Sequence, residues 1–255
     1  MISFVGAGSG APDLITVRGQ KQLQEADVVI YAGSLVNPEL LKETKAGCEI
    51  YNSAAMTLEE VFAVMEQAEA AGKKTVRLHT GDPCLYGAIR EQMDLLEQKG
   101  ISYEVCPGVS SFCGAAAALG MEYTLPGISQ SVVITRMAGR TPVPERESIA
   151  SFAAHRATMV VFLSTGLLEE LSKELIAGGY SPDTPAAIVY KATWEDEKVV
   201  RCTVAALAEA ARENQITKTA LMVIGDVVAQ SGYQRSELYN PAFTTEFRKA
   251  SHPKE

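Results

Sequence analysis

Short β-rich runs alternate with helix-patterned segments along almost the whole 255-residue chain, which restricts the fold to sheets flanked by helices. In the first half, Ile2–Val5, Val28–Tyr31, Glu49–Tyr51, Thr75–His79 and Tyr103–Val105 predict strands, separated by helices near 14–25, 57–71, 86–98 and 110–119. Strands joined through helices belong to a largely parallel sheet. The helix over 57–71 carries its own punctuation. Thr57 and Glu60 have capping-box spacing, Val61, Val64, Met65 and Ala68 form an apolar face that makes Met65 core, and Gly72 supplies the stop.

The alternation breaks between Gly120 and Gln130, where Thr124-Leu125-Pro126-Gly127 favours a turn or extended linker. A second α/β series follows, with strands expected at Ser131–Thr135, Thr158–Leu163, Ala186–Tyr190, Lys198–Arg201 and Ala220–Ile224 and helices near 146–155, 167–177 and 204–213. The expected organisation is an N-terminal α/β domain over 1–119, a linker over 120–130 and a C-terminal α/β domain over 131–255. The tail from Ser231 onward carries Tyr233, Tyr239, Phe243 and Phe247, which are expected to dock.

Hydrophobic residues at 47% and charged residues at 21% fit a folded globular chain and exclude disordered, collagen-like and coiled-coil classes. The longest apolar runs, such as Met159 to Leu163, fall far short of a membrane span, and no secretory signal opens the chain, so a cytoplasmic protein is expected. A net charge of −8 disfavours a nucleic-acid partner. The five cysteines (Cys48, Cys84, Cys106, Cys113, Cys202) are odd in number and scattered, as expected of reduced packing residues. His79, His155 and Cys84 have no metal-ligand spacing, so no metal is expected and they are read as core histidines and a packing cysteine.

Three loops follow strands and carry candidate chemistry. Gly6-Ala7-Gly8-Ser9-Gly10-Ala11 matches G-x-G-x-x-A, which reads either as a dinucleotide pyrophosphate loop or as a tight turn needing glycine for its backbone. The dinucleotide reading lacks its acidic partner, because the second strand ends in Ala32-Gly33. In Thr80-Gly81-Asp82-Pro83-Cys84-Leu85-Tyr86-Gly87, Gly81 opens the main chain to a ligand, and Asp82 suits either ribose hydroxyls or a cap on the next helix. Pro107-Gly108-Val109-Ser110-Ser111 is a further turn at a strand's carboxyl end, where open α/β sheets bind ligands.

These loops, with the Gly6 to Gly19 opening and the Thr184-Pro185-Ala186-Ala187-Ile188-Val189-Tyr190-Lys191-Ala192-Thr193 stretch, resemble the tetrapyrrole (corrin/porphyrin) methyltransferases over essentially the whole chain. Within that family, Tyr31-Ala32-Gly33-Ser34-Leu35-Val36 and residues 134–145 look like the members acting at C11 of precorrin-4 or its cobalt complex in cobalamin biosynthesis. The resemblance implies two α/β domains, S-adenosylmethionine as cofactor with S-adenosylhomocysteine as product, a small-molecule tetrapyrrole substrate, and a homodimer. It implies cofactor contacts at Ser9, Thr80, Gly81, Asp82, Leu85, Ser110, Ser111, Leu163, Ala192, Thr219 and Ala220, mostly through backbone groups.

Uroporphyrinogen-methylating relatives carry an acidic residue after the tyrosine of the second strand, where this chain has Ala32, so no catalytic acid or base is assigned. Arg136, Arg140 and Arg146 are candidate partners for substrate carboxylates, against a reading as solvated arginines paired with Glu145 and Glu147; Arg18 and Lys191 are weaker candidates. A dinucleotide-dependent oxidoreductase, a non-catalytic tetrapyrrole carrier, and a diphthine synthase or ribosomal-RNA methyltransferase are the alternatives.

Overall fold

A computed structural model describes residues 1–251, which fall into two compact units, Met1–Ala118 with Lys191–Lys198 and Leu119–Tyr190 with 199–251. The expected α/β class holds in both. The short segment Lys191–Lys198 therefore packs with the first unit although its neighbours in sequence pack with the second.

In the first unit, β1 (Ile2–Gly6), β2 (Val28–Tyr31), β3 (Glu49–Asn52), β4 (Thr75–His79) and β5 (Tyr103–Cys106) form a sheet in the order β3-β2-β4-β1-β5, with every pairing parallel. All five residues of both β1 and β4 are buried, as their central place in a parallel sheet dictates, although Thr75, Arg77 and His79 of β4 are polar. One face packs Val5, Leu23, Val29, Leu40 and Leu78, and the other packs Phe4, Ile30, Val61, Met65 and Leu96. The helices are α1 (Val17–Glu25), α2 (Leu58–Ala70), α3 (Arg90–Gln98) and α4 (Ser111–Leu119). The capping box of α2 is present: Thr57 Oγ1 accepts from Glu60 N at 3.3 Å and Glu60 Oε2 accepts from Thr57 N at 2.7 Å.

In this unit two helices are shorter than expected; in the second unit the helix expected near 146–155 likewise narrows to Ile149–Ala153, after a 3₁₀ turn at Glu145–Glu147, and the one near 204–213 to Leu207–Glu213, after a 3₁₀ turn at Val204–Ala206. The expected 14–25 helix resolves into a 3₁₀ turn at Pro12–Leu14 and then α1, because Thr16 caps Gly19 N and restarts the chain. The expected 86–98 helix starts only at Arg90, because Tyr86 and Ala88 adopt positive φ values of 56° and 49°, incompatible with a right-handed helix.

In the second unit, β6 (Val132–Arg136), β7 (Thr158–Phe162), β8 (Pro185–Tyr190), β9 (Lys198–Thr203) and β10 (Ala220–Ile224) form a sheet in the order β6-β7-β10-β8-β9. Here β6 and β7 are parallel, but β10 runs antiparallel to both neighbours, so this sheet is mixed. Helices α5 (Ile149–Ala153), α6 (Leu168–Gly178) and α7 (Leu207–Glu213) pack against it, with Met159, Leu171, Leu175, Ile188 and Met222 in the core.

The tail departs from expectation. Tyr233, Tyr239, Phe243 and Phe247 are exposed, because the segment ties to itself through Arg248, whose Nη2 donates to the Leu238 and Asn240 carbonyls, rather than through its rings. All five cysteines are free, and Cys106 is buried as expected, but Cys84 and Cys113 are exposed. His155 is exposed as well, whereas His79 is a core residue. Among the described residues, no helix is long and apolar enough to cross a membrane and no His/Cys/Asp/Glu cluster is suited to a metal.

Candidate active site

The carboxyl ends of β4, β1 and β5 are welded backbone to backbone. Beyond the strands the loops keep pairing: Ala7 N donates to His79 O at 2.7 Å, and Gly8 and Gly81 exchange hydrogen bonds of 3.2 and 2.9 Å. A Cβ on Gly6 would lie 2.6 Å from both Gly108 Cα and Gly81 O, so no side chain fits where the three loops meet. Asp82 fastens the junction. Its Oδ2 accepts from Gly108 N at 2.9 Å and its Oδ1 from Cys84 N at 2.8 Å. Partial burial raises the pKa of this carboxyl, but hydrogen bonds from Cys84 and Gly108 outweigh that and hold it below the usual carboxylate range. The helix-cap reading of Asp82 does not hold, because α3 begins only at Arg90; its carboxylate instead accepts from two main-chain donors in the loops. Gly81 sits against Ser110 and Ser111, and the Leu85 amide closes back on the Asp82 carbonyl at 3.3 Å.

The first glycine loop is occupied by protein. Ser9 Oγ lies 3.0 Å from Thr193 Oγ1, and Ala11 N donates to that same hydroxyl at 3.1 Å. Gly10 faces Trp194 so closely that a Cβ would overlap the indole, and the Ala192 carbonyl lies against it too. The Thr193 amide in turn donates to Glu197 at 2.6 Å, Lys191 pairs with Asp196 at 2.6 Å, and the Lys191 ammonium sits 5.2 Å from the Trp194 ring centroid. The loop leads into a 3₁₀ turn, and α1 begins only at Val17. The helix N-terminus that a dinucleotide pyrophosphate needs directly after the glycines is therefore missing.

Thr80 Oγ1 and His79 Nε2 are buried with no hydrogen-bond partner. An unsatisfied hydroxyl at the end of a central strand is the feature expected where a ligand completes the site. His79, stacked on Phe4, is pushed down to about 3 by burial and then by the Arg77 charge, so it stays neutral and is no proton acceptor near pH 7.

The second unit shows a strained sheet end. Leu163 (φ 52°) follows β7 and Thr219 (φ 57°) precedes β10; left-handed conformations are uncommon for such side chains and persist where surroundings impose them. Continuing the Met222–Val161 register puts Ala220 beside Leu163, and Ala220 also pairs with Tyr190. Thr165 Oγ1 lies 3.3 Å from the Ala220 carbonyl. Leu163 is 66% exposed, an apolar side chain held outward.

The three arginines differ. Arg136 ends β6 beside Phe162, and its guanidinium donates to the carbonyls of Met137, Thr141 and Pro142 at 3.2, 3.0 and 2.9 Å, closing the loop that follows it. Arg140 is exposed on that loop, and Arg146, also exposed, pairs with Glu147 at 3.5 Å, as the solvated reading expects. Sequence reasoning missed Thr193 and Trp194. The signal was available: the chain's single tryptophan directly follows a stretch already singled out.

The family model for Tetrapyrrole (Corrin/Porphyrin) Methylases matches residues 1–208. The cobalt-precorrin-4 C(11)-methyltransferase of Methanocaldococcus jannaschii is 52% identical over 253 residues, spanning 99% of this chain and 97% of that protein. A solved structure of a cobalt precorrin-4 methyltransferase, described as a cobalamin biosynthetic enzyme, superposes with a TM-score of 0.87 at 49% identity, covering 89% of this chain and 95% of that one. A uroporphyrin-III C-methyl transferase from Thermus thermophilus, solved with S-adenyl homocysteine, gives a TM-score of 0.75 at 28% identity over 90% and 99% of the two chains. The chain belongs to the tetrapyrrole (corrin/porphyrin) methylases.

Proposed function

We propose that this chain transfers a methyl group from S-adenosylmethionine to C11 of precorrin-4 or its cobalt complex in cobalamin biosynthesis, leaving S-adenosylhomocysteine. The observation that carries this reading is 52% identity, at nearly full length on both sides, to a protein of that activity. The residues present suit the cofactor. Ser9, Thr80, Gly81, Asp82, Leu85, Ser110, Ser111 and Ala192 in the first unit, and Leu163, Thr219 and Ala220 in the second, would hold it largely through main-chain groups, with the unpaired Thr80 hydroxyl free to bond once a ligand arrives.

When bound, the cofactor supplies an electrophilic methyl group, and an electron-rich ring carbon can take it without a protein nucleophile. The chain's task is then alignment. Ala32 offers no carboxylate and buried neutral His79 offers no base, so no catalytic acid or base is assigned, and the role proposed for the chain is to hold the macrocycle against the cofactor. Arg140 and Arg146, with Arg136 shaping their loop, would receive the substrate's carboxylates. The same reading places the chain in the cytoplasm as a homodimer, and the exposed Leu238, Tyr239, Phe243 and Phe247 support an association face.

Incubation with carbon-13 methyl-labelled cofactor and each form of the precursor, followed by NMR of the product, tests the assignment. A label at C11 is expected; a label at another ring carbon, or none from either precursor, would sink it.

A further inference from the structure

Arg77 lies in the middle of β4 and is only 6% exposed, yet none of the ion pairs among the described residues involves it. A buried cation without a counterion is costly, so its neutral partners matter. Arg77 Nη1 donates to Ile30 O at 3.1 Å, just before the Tyr31-Ala32-Gly33 end of β2, and Arg77 Nε donates to Gln92 Oε1 at 3.1 Å. Gln92, 5% exposed on α3, passes the connection on: its Nε2 donates to Ala88 O at 3.0 Å. Because an arginine can only donate, it fixes which end of the Gln92 amide faces Ala88.

The recipient of this relay is a strained segment of the first unit. Tyr86 and Ala88 have positive φ values on either side of Gly87, and a Cβ on Gly87 would meet Pro83, so the turn is folded tightly on the Asp82 loop. Such a turn persists only if something outside it holds it. It directly follows Leu85 and carries Tyr86, a residue 44% exposed. A large, flat, conjugated substrate is complementary to an aromatic ring presented this way.

We infer that Arg77 and Gln92 are a positioning pair: Arg77 orients Gln92, and Gln92 holds the Tyr86–Gly87–Ala88 turn in the conformation that meets the macrocycle. This rests on the methyltransferase reading for its substrate. Neither residue touches the reacting atoms or is a proposed cofactor contact, and the turn they hold lies beyond Leu85, so their effect is expected on substrate placement ahead of cofactor binding.

Gln92→Glu separates positioning from mere packing. Glutamate still accepts from Arg77, and pairs its charge, but cannot donate to the Ala88 carbonyl. The expected result is a folded enzyme with melting temperature at or above the parent, cofactor Kd within about twofold, kcat/KM for the macrocycle down at least about tenfold, and faster amide exchange at residues 86–89. Turnover within twofold of the parent, or unchanged exchange, overturns the proposal. If the glutamate variant fails to fold, Gln92→Met, which removes both hydrogen bonds without adding charge, must show the same kinetic loss; normal turnover in it is equally fatal. A parent chain that binds cofactor but methylates neither precursor defeats the methyltransferase reading instead, and the pair is then judged on exchange alone.

Discussion

Asp82 accepts the amide hydrogen of Gly108 at 2.9 Å, joining the loop after β4 to the loop after β5 across the intervening β1. One carboxylate therefore sets the spacing of two loops whose main-chain groups are the proposed cofactor contacts. Asp82→Ala is expected to weaken S-adenosylmethionine binding by about 1–3 kcal/mol, and Asp82→Asn, which keeps one acceptor oxygen, by less. Calorimetry on the folded variants checks this, and unchanged affinity in Asp82→Ala removes the role.

Acid should destabilise the protein through His79. Its folded pKa of about 3 lies below the unfolded value near 6.5, so the unfolded chain binds the extra proton across that interval. Stability contributed by neutral His79 is complete above about pH 6.5 and declines as pH falls toward 3, with a limiting slope of roughly 1.4 kcal/mol per pH unit. His79→Leu should flatten this limb in urea denaturation series; an unaltered acid limb would show that other groups govern it.

Much of the parallel first sheet was legible because β1 and β2 carry both strong signals at once, apolar residues such as Val28–Tyr31 and glycine turns that follow them. The Thr57 capping box was legible for the same reason: its physics is local. Long-range consequences were not. That β10 runs antiparallel between β7 and β8 depends on pairing partners distant in sequence, and no local propensity reports it. The late start of α3 comes from left-handed Tyr86 and Ala88, which flank a Gly87 packed against Pro83, a conformation no local propensity reports. The tail aromatics look like docking residues in sequence and are exposed in the chain taken alone.

The fit of Trp194 against Gly10 gives a stability test. Gly10→Ala puts a methyl group into the indole, so a loss of about 1–3 kcal/mol is expected from overpacking. In the Gly10→Ala, Trp194→Ala double variant the overlap with the indole is gone and only the Ala192 carbonyl, 2.8 Å from the added Cβ, still crowds the methyl, so the two costs should fall short of their sum. Strict additivity in a denaturation cycle would show that the segment does not rest on the glycine loop as described.

Arg136 and Arg140, neighbours in one loop, should respond differently to the same replacement. Arg136 spends its guanidinium on the carbonyls of Met137, Thr141 and Pro142, so Arg136→Ala removes the brace that shapes residues 137–142. Its effect is conformational: a higher KM for the macrocycle that persists at high salt, since hydrogen bonds within the chain are not long-range charge attraction. Arg140 is exposed, with its charge available to a substrate carboxylate. Arg140→Ala should also raise KM, but added salt should raise the parent's KM toward that of the variant, because a screened charge is equivalent to a missing one. Cofactor affinity should stay unchanged in both, since neither arginine is among the proposed cofactor contacts. Steady-state kinetics at two salt concentrations decides the matter: an Arg140 variant that binds macrocycle like the parent at low salt is a solvated surface arginine, and the substrate's carboxylates must then be met elsewhere.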